Sequence, residues 1–234
     1  MSGPGWDDLS EEDVDRLTTQ VLRSGSRARP ELRRIRLEGV DAVVKDYGRR
    51  GTVFKRLLGA WLARREEAAL RRAEGVPGVP RVIARPQPWT IVLDYVDATP
   101  VTRLDAARLD AAFFARLSGL IVALHERGLA HGDLEHLDNI LVTLDMQPAV
   151  VDFAAAVMAG TNPLAALAWP YVADNDLRAI CKLKAQYAPE LLSEDERCLL
   201  ERRSAAEAWF RRARRYVRGP VKALATDPDE DAPS

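Results

Sequence analysis

The chain has 234 residues, 47% of them hydrophobic and 29% charged, enough to bury a substantial core in one domain or one bilobal unit. Its 34 basic and 35 acidic side chains nearly cancel, so overall charge points to neither nucleic acid nor an acidic substrate as a partner. The cysteines Cys181 and Cys198 lie outside any CxxC or Cys/His cluster, and the acidic opening MSGPGWDDLSEED is unlike a signal peptide, so the expected location is a reducing cytoplasm.

Ser10 and Asp13 have capping-box spacing and predict a short acidic helix to about Leu17, within an N-terminal extension over residues 1–17. A strand near Thr18 to Leu22 then meets the turn-rich RSGSRARP. ELRRIRL and VDAVVKDY follow as two strands joined across Glu38 and Gly39. Phe54, Leu57, Leu58, Trp61, Leu62, Ala69 and Leu70 recur at helical spacing until GVPGVP stops the helix. RVIARP and WTIVLDYV complete a five-stranded antiparallel sheet, and DATP marks a boundary near Asp97. A second long helix carries Leu109, Phe113, Leu117, Leu120, Ile121 and Leu124 and ends at Gly128.

Beyond it lies the polar loop HGDLEHLDNILV, and NILVTLDMQPAVVDF reads as two short strands around a turn. Helices are expected over about Asp176 to Tyr187 and Ser193 to about Arg218. The apolar runs GLIVAL and PLAALAWPYVA are too short or too Pro-broken to span a bilayer. The predicted fold is α+β and bilobal: a β-rich lobe with one long helix over 18–96, a mainly helical lobe over 97–222, and a solvated tail over 223–234.

Phosphoryl transfer asks a protein for a lysine on the phosphates, an acid to hold it, metal ligands, and a carboxylate at the acceptor hydroxyl. Lys45 sits in AVVKDY, where its apolar neighbours suggest that the ammonium points into a cleft; taken alone, a strand-edge lysine snorkelling to water is the better reading. Glu66 has Leu62, Ala63, Ala69 and Leu70 around it at helical spacing, so its carboxylate is on the inward face and needs a cation, unless it pairs with Arg65 or Arg72 at the surface. Asp133 follows a helix and LHERGLAHG, where a short acid at a cleft floor can take a hydroxyl proton. Asp152 ends the strand PAVVD, within reach of magnesium on phosphates. Each aspartate alone is more often a turn or cap; their order along the chain favours chemistry.

AVVK, LHERGLAHGDL, NILV and VVDF together resemble the protein-kinase superfamily from about Thr18 to Tyr187. LLGAWLARREEAALRRAEGVPGVPR and VVDFAAAV are similar to bacterial lipopolysaccharide core sugar kinases and to compact RIO-type atypical kinases. The resemblance implies an ATP- and Mg²⁺-dependent kinase whose acceptor hydroxyl belongs to a glycolipid, a protein Ser/Thr or a small molecule. By the same resemblance Lys45 binds phosphates, Glu66 pairs with it, Asp133 is the catalytic base, Asn139 and Asp152 hold Mg²⁺, and the backbone of Asp94, Tyr95 and Val96 receives adenine. A pseudokinase acting as a nucleotide-binding or scaffolding module is the alternative.

The departures are specific. No GxGxxG precedes Lys45; Ser24, Gly25 and Ser26 are the only candidate phosphate donors in that turn. DFA replaces DFG, and about twenty residues are expected between Asp152 and the next helix, too few for a long activation loop. Asn139 follows Asp133 by six residues where kinases have five. Placing the extra residue in the bend Glu135 to Asp138 keeps NILV in strand register and makes Asn139 the metal ligand, whereas the five-residue spacing would make Asp138 the ligand. His131 is expected to bond backbone, His136 to face solvent, and Asp176 to open a helix, either bracing the loop or capping. Near the C-terminus Trp209, Phe210 and Val217 lie among Arg211, Arg212, Arg214, Arg215, Arg218 and Lys222, a pattern suited to anionic lipid or to packing with a solvated arginine face.

Overall fold

A computed structural model describes residues 5–25, 29–48, 53–105 and 109–201. The N-terminal lobe is a five-stranded antiparallel sheet in the order β1-β2-β3-β5-β4: β1 (Thr18–Arg23), β2 (Glu31–Leu37), β3 (Val40–Asp46), β4 (Val82–Gln87) and β5 (Thr90–Asp94). The hairpin from β2 to β3 turns on Glu38 and Gly39, both at positive φ, as two-residue hairpins require. Side-chain alternation then divides the sheet. Ile35, Leu37, Ala42, Val44 and Val92 are buried on one face against Leu9 and Val14, on and just before α1 (Glu11–Leu17). The segment before β1 therefore roofs the sheet. Ser10 caps α1 in the expected capping box with Asp13.

The other face carries Lys45, Ile91 and Leu93, and α2 (Val53–Arg72) crosses it. Ala69, Leu70 and Ala73 join these strands to the second lobe in one core with Phe113, Leu117, Ile121 and Leu124 of α3 (Ala111–Glu126). Asp110 caps α3 through Phe113 N–H. The helical lobe also holds a three-stranded sheet, β6-β8-β9, built from β6 (Ala98–Pro100), β8 (Ile140–Thr143) and β9 (Pro148–Val150), and a strand pair of β7 (Leu129–Ala130) with β10 (Val157–Met158). Where DATP reads as a boundary, β6 pairs along β8, a three-residue edge strand ending in proline and too short to show a period.

The expected helix opening at Asp176 needs correction: α4 runs over Pro163–Tyr187, with Asp176 in its interior. Asn162 accepts Ala165 N–H as a cap and Pro163 occupies the first turn, so initiation is strong at residue 163. Pro170 costs one internal hydrogen bond, and burial of Val172 and Ala173 against Ala130 carries the helix through it. Ten residues, 153–162, rather than about twenty, separate Asp152 from this helix. The last described helix is α5 (Glu194–Glu201), capped through Ser193 and Glu196; the basic pattern at 209–222 and the tail lie outside the described residues.

Candidate active site

Three elements bring a charged cluster to the seam between the lobes. β3 delivers Lys45, whose alternation with Ala42 and Val44 places it on the α2 side of the sheet. Its Nζ donates to Glu66 Oε1 at 2.7 Å and to Asp152 Oδ1 at 2.6 Å. Lys45 and Glu66 are buried, so the cleft reading holds for both and the surface readings do not. Glu66 is fully satisfied: Oε1 also accepts Phe153 N–H at 3.1 Å, and Oε2 accepts the Tyr47 hydroxyl. Tyr47 lies two residues past Lys45, on the same side of the chain, a period-2 signal that the sequence carried and that a search for charged residues passes over.

Burial opposes charge on Lys45 and on Asp152, and their partners outweigh it. Burial disfavours the Lys45 ammonium, yet Glu66, Tyr47 and Asp152 hold it well above the usual lysine range. Burial likewise raises the Asp152 carboxyl, but the Lys45 charge and hydrogen bond bring it down to about 2. Burial, with the neighbouring Glu66 and Asp152, pushes the Tyr47 phenol well up. At neutral pH the site is an ammonium between two carboxylates with a neutral phenol beside it.

Asp152 has left-handed backbone (φ 69°, ψ 67°), and a 3-10 turn over Phe153–Ala155 follows directly. That conformation is strained for an L-residue and swings the carboxylate off the end of β9 toward Lys45. Arg65 ties α2 to the same turn, donating to Ala156 C=O at 2.9 Å.

The loop at 131–139 is braced from beneath. Asp176, nearly inaccessible on α4, accepts His131 N–H at 2.6 Å and Gly132 N–H at 2.9 Å, and lies 3.2 Å from His125 Nε2. It braces the loop rather than capping a helix. Gly132 has φ +77°, and a Cβ there would meet Ala155 C=O at 2.8 Å. His131 lies 3.0 Å from Val151 C=O through Nε2 and sets its ring edge-on to Phe153.

Asp133 is buried within this loop. Its C=O accepts His136 N–H at 3.3 Å and the Asn139 amide Nδ2 at 3.0 Å, and the Asn139 N–H closes onto His136 C=O at 2.8 Å. The extra residue is thus absorbed in a turn over Asp133–His136 followed by a 3-10 turn over Leu137–Asn139. Asn139 is buried, and its C=O accepts Val151 N–H at 3.0 Å, next to Asp152; Asp138 is exposed and bonds Thr102 Oγ1 at 2.5 Å. Ile140 and Val142 both face the core, the register that the six-residue spacing requires. His136 has its side chain half exposed, as expected, but Nδ1 lies 2.9 Å from Asp133 Oδ1, a contact that spacing alone does not show.

The remaining expected positions surround this centre. Ser24 and Gly25 are exposed past the end of β1, and Ser26 is outside the described residues. Asp94 ends β5, its carboxylate on Arg81 at 2.6 Å and its N–H donating to Arg81 C=O, and Tyr95 and Val96 follow directly after the strand. The Tyr95 ring stacks under Arg34 at 4.0 Å. A cleft of about 820 Å³ opens beside this segment, between the 76–81 loop, α3 and the β8–β9 turn, away from Lys45 and Asp133. Among the described residues no three His, Cys, Asp or Glu side chains form a metal cluster. Asn139 and Asp152 nevertheless suit Mg²⁺, which takes hard oxygen donors, uses one or two carboxylates, and fills its shell with phosphate and water.

Residues 40–195, more than half of the chain, match the family described as the RIO domain. The chain belongs to the RIO domain family. No curated protein matches it in sequence. Among solved structures, this RIO domain is similar to the Rio2 kinase of Chaetomium thermophilum in complex with ADP, Mg²⁺ and phosphoaspartate, with 26% identity and a TM-score of 0.59 over 77% of this chain. A second structure of Rio2 kinase from the same organism matches at 25% identity and a TM-score of 0.53 over 76% of it. The RIO domain spans 59% and 63% of those two chains. The expected bilobal kinase-like fold of RIO type is the fold observed.

Proposed function

We propose that this RIO domain is an atypical kinase that binds ATP with Mg²⁺ and moves the γ-phosphoryl group to a hydroxyl, with a protein Ser/Thr as the acceptor. The observation that carries the reading is the convergence of Lys45, Glu66 and Asp152 at one seam, beside a braced loop that holds Asp133 and Asn139. In this reading Lys45, kept charged by Glu66, binds the phosphates, and Asn139 and Asp152 would hold Mg²⁺, whose charge would offset that of the transferring group. Asp133 takes the acceptor proton. Ser24 and Gly25 would cover the phosphates, and Tyr95 and Val96 would meet adenine. The match to the RIO domain and to Rio2 kinase supports a hydroxyl acceptor such as protein, while the 209–222 pattern on which a lipopolysaccharide sugar rested lies outside the described residues.

A second reading, ATP turnover through an aspartyl phosphate on the protein itself, draws on the phosphoaspartate in the Rio2 complex and on the two aspartates at this site. Incubation with γ-labelled ATP, Mg²⁺ and a generic protein substrate separates the readings. Label on substrate Ser/Thr, stable to hydroxylamine, supports the kinase. Hydroxylamine-labile label on the chain alone supports the acyl phosphate, and no label in either form leaves the pseudokinase. Lys45→Ala should weaken ADP binding and abolish transfer. Asp133→Asn should abolish transfer with ADP affinity kept, and equal loss of affinity in both variants would contradict the assignment.

A further inference from the structure

The chain has three histidines, and two of them flank Asp133. His131 Nδ1 accepts the Asp133 N–H at 3.3 Å, so its proton is on Nε2, which donates to Val151 C=O at 3.0 Å. His136 has the opposite arrangement. Its Nδ1 lies 2.9 Å from Asp133 Oδ1, and an ionised carboxylate only accepts, so the proton must be on Nδ1. His125 Nε2 faces the Asp176 carboxylate at 3.2 Å and is protonated on Nε2 by the same argument. His136 is therefore the one histidine of the chain held as the Nδ1–H tautomer.

We infer that His136 is a positioning residue for Asp133. It sits in the turn over Asp133–His136, and it holds the carboxylate against rotation by donating from Nδ1. This rests on the proposed kinase reading, in which Asp133 must meet the acceptor hydroxyl. The backbone of Asp133 is fixed by His131 and Asn139, and its carboxylate meets the His136 imidazole through Oδ1. The imidazole is fastened at its own backbone, its N–H to Asp133 C=O and its C=O to Asn139 N–H, so the ring is carried by the same turn as the group it holds. Glu135, the neighbour that could compete for the imidazole, is itself bonded to Lys182 at 2.6 Å. Orientation of a general base is worth about tenfold or more in rate when the reacting groups are otherwise in place.

Asparagine places its amide nitrogen where Nδ1 of histidine lies, whereas glutamine places it near Nε2. His136→Asn should therefore keep kcat within about threefold of the parent, while His136→Gln and His136→Ala each lose about tenfold, with KM for ATP and ADP affinity unchanged within about twofold in all three. A structural role alone would not separate asparagine from glutamine. Two-bond ¹H–¹⁵N spectra of the unliganded chain at about pH 8.5, where ordinary imidazoles are neutral, test the contact without turnover. His136 should show the Nδ1–H pattern, with His125 and His131 showing Nε2–H, and Asp133→Ala should return His136 to Nε2–H. Asparagine performing no better than glutamine, or a His136 in the Nε2–H form in the parent, overturns the inference. An Nδ1–H signal in a chain that transfers no phosphoryl group would keep the Asp133–His136 pair and sink the kinase reading instead.

Discussion

At Glu66 the sequence and the structure meet most closely. Its helical neighbours are apolar, so the carboxylate is carried inward, and burial without a cation would cost more than a helix of this length can absorb. Lys45 was legible as that cation from order along the chain. Tyr47 was not, because a phenol in a β-strand is ordinarily core and only its partner shows otherwise. Tyr47→Phe removes the donor to Glu66 Oε2 and leaves a buried carboxylate oxygen unpaired. The expected loss is about 1–3 kcal/mol in urea denaturation, and an unchanged midpoint would show that Lys45 and Phe153 N–H suffice. Asn139 and Asp138 give a second test at this scale. Asn139 is buried beside Asp133, with Nδ2 committed to its C=O, so Oδ1 is the amide atom left for a cation; Asp138 is turned to Thr102. Asn139→Ala should raise the Mg²⁺ requirement of transfer several-fold and lower its rate, and Asp138→Ala should do less. A larger Mg²⁺ shift in Asp138→Ala would reverse the assignment.

Elements with a strong period or cap were legible: α1 from its capping box, α3 from its apolar spacing, and the five strands from alternation and turns. Those that depend on distant partners were not. The two-residue strands β7 and β10 exist only because each supplies the other's hydrogen bonds, and the start of α4 was hidden by Pro170, which reads locally as a stop. The consequence of the longer α4 is functional. It places Asp176 in the helix interior, thirteen residues past Pro163, and from there one carboxylate holds two successive N–H groups of the 131–139 loop. Asp176→Ala would leave the buried His131 N–H and the part-buried Gly132 N–H without their acceptor, a loss of about 3 kcal/mol in chemical denaturation. Asp176→Asn retains one amide oxygen and should cost roughly half as much, with transfer slowed in step with loop disorder. If alanine and asparagine cost the same, the loop is held by the His131 ring contacts instead.

Across the molecule, one ammonium on the sheet joins carboxylates from both lobes, Glu66 from α2 and Asp152 from the helical lobe, so protonation of Asp152 bears on the contact between them. The Asp152 carboxyl is held at about 2, against an ordinary value of 3.8, because the Lys45 charge outweighs the cost of burial. A depressed carboxylate contributes stability that is present above its unfolded value and is lost as pH falls through its folded value. The window is therefore from about pH 4 down to about pH 2, and the size is about 2 kcal/mol at roughly 1.4 kcal/mol per pH unit. Lys45, raised well above the usual lysine range, contributes through its folded state at neutral pH and is lost only in strong alkali, so the neutral range is flat with respect to this cluster. Asp13 is also held at about 2, by Ser10 and Arg16, but it lies on α1, remote from the seam, so it affects parent and variant alike. Asp152→Asn cannot titrate and should show an acid limb shallower than the parent's by about 2 kcal/mol between pH 4 and pH 2. Urea midpoints taken at half-unit steps of pH measure that difference. Parallel limbs in the two proteins would mean that the ion pair to Lys45 adds nothing to the folded state, and that the lobes are held together by the shared apolar core alone.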